Sequence, residues 1–349
     1  MCGVDRAGYA VHSGDRTMSG ARAVIFGCSG PVLTAEERTF FAKADPWGFI
    51  LFARNIETPD QVRALTEDLR ATVGRRAPIL IDQEGGRVAR LTAPVWQTWA
   101  PALPYCTDAG PNLREAMYLR GRMIAAELYD LGIDVNCAPI LDVVGADTHA
   151  IIENRCYGRD PAQVGIAGRA LADGHRAGGV LSIIKHIPGH GRGNVDSHFD
   201  LPRVSASAEE LETTDFVPFR DLSDLPMAMT AHIVYEAIDP DAPATLSKQV
   251  VSMIRGQIGF EGLLMTDDLS MKALGGDFAD RTRASLDAGC DLVLHCNGLR
   301  EEMDPVAEHA PLLDGLALAR AEAVLAERQT PESFDLPEAH ARLNILTKG

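Results

Sequence analysis

The chain has 349 residues, 46% of them hydrophobic, enough to bury one large α/β core or two ordinary domains. Its formal net charge of −16 repels phosphate backbones and anionic lipid over most of the surface, so neither nucleic acid nor a membrane is an expected partner. The seven cysteines, at 2, 28, 106, 137, 156, 290 and 296, form no CxxC pair, which argues against a thiolate zinc site or a disulfide framework and for a reducing compartment.

The first residues, MCGVDRAGYAVHSGDRTM, lack the apolar stretch of a secretory signal, and no later run approaches the roughly 20 apolar residues of a membrane-spanning helix, so a cytoplasmic location is expected. Periodic structure begins near Ala21. Residues 1–20 are therefore read as a flexible N-terminal extension, although a native start at Met18 accounts for them equally well.

From there, short β-rich apolar runs alternate with helix-like segments. The runs fall at 22–27 (within ARAVIFG), 48–52 (GFILF), 78–83 (PILIDQ), 133–140 (IDVNCAPI), 180–186 (VLSIIKH), 227–233 (MAMTAHI), 262–268 (GLLMTDD) and 291–296 (DLVLHC). Helices are expected between them, for example over 58–73, which opens with a Thr cap and a Pro in its first turn, and over 112–130. Eight strand–helix units predict a (β/α)8 barrel of the TIM type in a single domain over 21–349, with the stretch from about 300 onward adding C-terminal helices. The rival, an open doubly wound sheet, calls for a glycine-rich phosphate turn after the first strand, and the SGP after VIFGC is too thin for one.

Barrel active sites sit at the C-terminal strand ends, and polar residues gather there. The third run ends in Asp82, Gln83 and Glu84, the fourth leads from Asn136 to Asp142, the fifth ends in Lys185 and His186, the sixth in His232 and the seventh in Asp267 and Asp268. A lone Asp at such a place is more often a cap or turn former, but five strands in one pattern are not explained that way.

The segment KHIPGHGRGNVDSH, residues 185–198, has two readings. His186, His190 and His198 with Asp196 are of metal-ligating types, but the spacing matches no zinc motif, and no metal is expected. Alternatively, Asp196 and His198, two apart, share one side of an extended stretch, and an Asp beside a His supports an acid and base that titrates near neutrality. A solvated Asp and His on a loop remain the plain alternative. In MTDDLSM, strand alternation lets only one of Asp267 and Asp268 face a pocket, as a candidate nucleophile, while its neighbour supports it or caps LSMKAL.

Three blocks, IDQEGGRVARL, KHIPGHGRGNVDSH and MTDDLSM, resemble signature blocks of glycoside hydrolase family 3, in particular its single-domain β-N-acetylglucosaminidase branch of cell-wall recycling; the similarity runs from about residue 22 to residue 300. The resemblance implies a retaining two-step hydrolysis of terminal β-linked N-acetylglucosamine without a cofactor. Asp267 occupies the nucleophile position, His198 that of the general acid and base, and Asp196 that of its dyad partner. Sugar binding falls to Asp82, Arg90, Arg155, Lys185 and His186. Most retaining glycosidases use two carboxyl groups, so a His in place of the second is a departure. The implied partner is a small amino-sugar or muropeptide substrate, GlcNAc-1,6-anhydroMurNAc with or without peptide.

Differences from the family pattern are an Ile187 where Phe is common, an extra Arg192 that bears on the leaving-group side, and the N-terminal extension. The rivals are a substrate-assisted mechanism, a phosphorylase that exploits the neutral His base, and a non-catalytic sugar-binding or sensor barrel.

Overall fold

Each of the eight apolar runs contributes one parallel strand to a closed barrel in the computed structural model, which describes residues 20–146, 148–193 and 201–347. The strands are β1 (Arg22–Gly27), β2 (Pro46–Leu51), β3 (Ile79–Ile81), β4 (Val135–Asn136), β5 (Leu181–Ile187), β6 (Met227–Thr230), β7 (Leu263–Asp268) and β8 (Leu292–His295). They follow one another around the barrel in chain order, and β8 closes on β1, which rules out the open sheet.

Side chains alternate between two buried layers. Ile25, Leu80, Val135, Leu181, Ile183, Met227, Met229, Leu263, Met265, Leu292 and Leu294 fill the barrel, while Val24, Phe26, Ile79, Ile81, Ile184, Ala228 and Leu264 pack outward against the helices. Strands buried on both faces read as near-continuous apolar runs, and these largely do until their C-terminal ends, where Lys185, His186, Asp267 and Asp268 fall.

The helices include α1 (Ala35–Ala44), α2 (Pro59–Val73), α3 (Leu113–Asp130), α4 (Pro161–Ala177), α5 (Phe278–Ala288), α6 (Arg300–His309), α7 (Gly315–Ala326) and α8 (Leu336–Leu346). The expected start of α2 is present: Thr58 Oγ1 accepts the Gln61 N–H at 3.2 Å and Pro59 opens the helix. Ala321 and Val324 of α7 join the inner layer, so this helix closes the barrel from below and leaves the opposite end as the mouth.

Two expectations change. The fourth run, expected over 133–140, is a continuous strand only at Val135–Asn136; Pro139 has no N–H to donate, and pairing resumes beyond it as an isolated parallel bridge from Ile140 to Lys185. A parallel pair at Arg203–Val204 and Val234–Tyr235 lies outside the barrel and had no signal in the pattern. Residues 1–19, the bulk of the N-terminal extension, lie outside the described residues. Among the described residues, no helix is long and apolar enough to cross a membrane.

Candidate active site

The inward register of three strands places three charged residues at the mouth. Two residues beyond Leu80 comes Asp82, two beyond Ile183 comes Lys185, and two beyond Met265 comes Asp267. All three line a cavity of about 210 Å³ together with Phe52, Glu84, Arg90, Asp142, Arg155, His186 and Asp268. Drug-sized pockets run roughly 300–1,000 Å³, so this space suits one compact ring.

Strict alternation would turn His186 away from Lys185. It does not, because β5 slips register against β6 between Lys185 and Ile187. The same device corrects the expectation for the acidic pair. β7 slips against β8, three residues from Met265 to Asp268 spanning two from Leu292 to Leu294, and both Asp267 and Asp268 line the cavity. Nor is LSMKAL a helix. Asp268 instead ties a turn, its carboxylate accepting the Ser270 N–H (3.0 Å), the Ser270 hydroxyl (2.5 Å) and the Cys296 N–H (3.1 Å). His232 stands behind this strand end, with Nε2 3.0 Å from the Asp268 carbonyl.

The sugar-binding candidates form one charge network. Lys185 Nζ lies 2.7 Å from Asp82 Oδ1 and 2.7 Å from Glu84 Oε1, Arg90 donates to Asp82 Oδ2 at 3.1 Å, and Arg155 forks onto Glu84 at 2.9 and 2.8 Å. Burial opposes the charge on Asp82, but Lys185 and Arg90 outweigh it and hold the carboxyl well below the usual carboxylate range. Glu84 is held down against burial in the same way by Arg155 and Lys185, and Lys185 is pushed up against burial by Asp82 and Glu84. Arg155 is thus no surface ion pair: its partner Glu84 has a side chain only 4% exposed.

Asp267 is partly exposed toward the cavity. Burial would raise its carboxyl, yet His186, His232, the Asp268 N–H and Lys185 keep it below the ordinary value. That leaves an ionised carboxylate facing the cavity at neutral pH.

Glu84 and Asp142 were visible at strand ends but drew no role from the sequence. Asp142 accepts His186 Nδ1 at 2.8 Å and the backbone N–H groups of His186 (3.1 Å) and His190 (2.6 Å), so it orients the ring that faces the cavity. Burial works against its ionisation, but His186 and His190 bring its pKa down to about 2. His190 is buried, its ring lies 5.7 Å from that of His186, and burial lowers its pKa to about 4. Arg192 pairs with Asp215 at 2.7 Å and Glu210 at 2.8 Å. Asp196 and His198 lie outside the described residues.

The model of the glycosyl hydrolase family 3 N-terminal domain matches residues 30–325. The chain belongs to glycoside hydrolase family 3. It is therefore a glycosidase, as the three signature blocks implied.

Among its relatives, a β-hexosaminidase of Alkalilimnicola ehrlichii is 40% identical over 297 residues, covering 82% of this chain and 84% of that one. One from Methylococcus capsulatus is 38% identical over 277 residues, with 78% and 82% covered. Of solved family 3 structures, NagZ from Neisseria gonorrhoeae in complex with N-trifluoroacetyl-D-glucosamine superposes with a TM-score of 0.83 at 31% identity, covering 95% of this chain and 99% of that one. A family 3 β-N-acetylglucosaminidase from Paenibacillus gives 0.82 at 28% identity, covering 95% of this chain and 68% of that one. The family 3 barrel thus spans most of both the sequence relatives and the Neisseria structure.

Proposed function

We propose that this family 3 enzyme is a retaining exo-β-N-acetylglucosaminidase that removes terminal N-acetylglucosamine from peptidoglycan-derived muropeptides, GlcNAc-1,6-anhydroMurNAc with or without its peptide. The observation that carries the reading is the ionised Asp267 carboxylate in a cavity sized for one ring. In the first step Asp267 attacks the anomeric carbon as His198 protonates the departing glycosidic oxygen. In the second, His198 takes a proton from water, which displaces Asp267 and frees the sugar. Asp196 supports the imidazolium that forms on His198.

Asp82, Arg90, Arg155, Lys185 and His186 hold the terminal sugar. Asp82 accepts from ring hydroxyls, while Lys185 and the two arginines stay protonated and cannot compete as nucleophiles. The β-hexosaminidase relatives and the amino sugar bound by the Neisseria protein support the choice of substrate. A cytoplasmic location agrees with the six described cysteines, all free and buried.

The test is release of N-acetylglucosamine from 4-nitrophenyl N-acetyl-β-glucosaminide and from GlcNAc-1,6-anhydroMurNAc, with and without phosphate, by wild type and Asp267→Ala. Turnover of both substrates to free sugar, lost in the variant, is expected. Sugar 1-phosphate as the main product would make the enzyme a phosphorylase, and an active Asp267→Ala would remove the covalent route. Binding without turnover would leave a sugar-binding barrel.

A further inference from the structure

Three of the four Lys and Arg side chains lining the cavity are neutralised: Arg90 by Asp82, Arg155 by Glu84, and Lys185 by both carboxylates. The fourth, Arg87, is exposed and forms no ion pair or hydrogen bond to any described residue. Nearby Arg192 is committed to Asp215 and Glu210. A bare cation at the mouth of a cavity is notable in a chain with a net charge of −16, where counter-charges are abundant.

The backbone fixes where this charge sits. Glu84 and Gly85 donate their N–H groups to the Val88 carbonyl at 2.9 and 3.0 Å, the Val88 N–H returns to Gly85 O at 3.2 Å, and the Gly86 N–H reaches Trp99 O at 2.9 Å. Gly85 and Gly86 have φ of 103° and 58°, a left-handed path that suits glycine. Beneath the turn, buried Arg120 donates to the carbonyls of Glu84 and Ala100 at 2.8 and 2.9 Å. Arg87 is thus presented at the rim by a braced turn, above the buried charges of the floor.

An exo-acting enzyme places the terminal ring on the floor, so the leaving group passes the rim. There it meets Arg87 with the apolar side chains of Val88, Ile151 and Met271. We propose that Arg87 is a specificity-determining residue that recognises a carboxylate on the leaving group, so that the enzyme prefers anionic to neutral aglycones. The inference rests on the hydrolytic reading above and adds the residue that selects for charge on the aglycone. Outside the cavity the overall negative field repels such a substrate, and a local cation restores attraction where it matters for register.

The probes are 3-carboxy-4-nitrophenyl N-acetyl-β-glucosaminide and its methyl ester, which differ by one charge. The readout is the ratio of kcat/KM for acid over ester. Wild type is expected to favour the acid, and Arg87→Gln to lower the ratio about fivefold, the scale of one solvent-exposed ion pair, chiefly through KM. Arg87→Lys should keep most of the preference, Arg87→Glu should lower it further, and high salt should erode it in wild type. An unchanged ratio in Arg87→Gln, or equal losses on both probes, would overturn the assignment. Wild type inert on both would instead remove the hydrolytic reading on which it rests.

Discussion

Lys185 of β5 donates to Asp82 at the end of β3 at 2.7 Å, reaching past the intervening β4 to join two walls of the barrel mouth. The same ammonium lies 2.7 Å from the buried Glu84, so one cation serves two carboxylates.

Lys185→Met should therefore do more than weaken sugar binding. It leaves Asp82 with Arg90 alone and Glu84 with Arg155 alone, and breaking a buried pair costs roughly 3–5 kcal/mol. The expected result is a lower urea midpoint together with a kcat/KM reduced by at least about 100-fold, the cost of roughly 3 kcal/mol in the transition state. A variant with wild-type stability and a raised KM only would mean the pair is not structurally important.

Acid should destabilise the fold before the carboxylates titrate. His175 is buried and neutral: its Nε2 accepts from Asn136 Nδ2 at 3.2 Å, its Nδ1 donates to Ser182 Oγ at 2.9 Å, and burial lowers its pKa from 6.5 to about 3. Below pH 6.5 the unfolded chain binds a proton that the native chain refuses, so stability falls as pH drops through this window, by roughly 2 kcal/mol at pH 5 from this residue alone. Urea midpoints between pH 7.5 and 4.5 should fall for wild type and fall less for His175→Gln. Parallel slopes would contradict the assignment.

His198→Ala should lose roughly 10²–10⁴-fold on substrates with poor leaving groups and much less on 4-nitrophenyl N-acetyl-β-glucosaminide, because protonating the departing oxygen is the step it serves. Asp196→Ala should be a milder copy. Equal losses on good and poor leaving groups would argue against the acid role.

Packing fixes the start of that loop. A Cβ on Gly191 would collide with the Val143 carbonyl, whereas one on Gly275 meets nothing within 4 Å. Gly191→Ala should cost roughly 1–3 kcal/mol of stability and reduce turnover, with Gly275→Ala near wild type by thermal unfolding and kcat. Equal behaviour of the two would show that the loop yields.

The barrel was legible because each strand is a short apolar run buried on both faces, and because Pro59 and Thr58 announce α2. What escaped was register. The slips that bring His186 beside Lys185 and Asp268 beside Asp267 depend on neighbouring strands, and no local pattern encodes them. Asp82, Arg90, Arg155, Lys185 and His186, singled out in the sequence, line one cavity. Glu84 and Asp142 were missed as partners because a residue that holds another in place shows its purpose only through distance, here 2.8 Å to Arg155 and 2.8 Å to His186.

The most direct measurement is covalent trapping with a 2-acetamido-5-fluoro glycosyl fluoride, followed by digestion and fragment mass spectrometry that separates Asp267 from Asp268. One sugar on Asp267 in wild type, and none in Asp267→Ala, is the predicted result. Label on a different residue, or an unlabelled protein that still turns the reagent over, would contradict it.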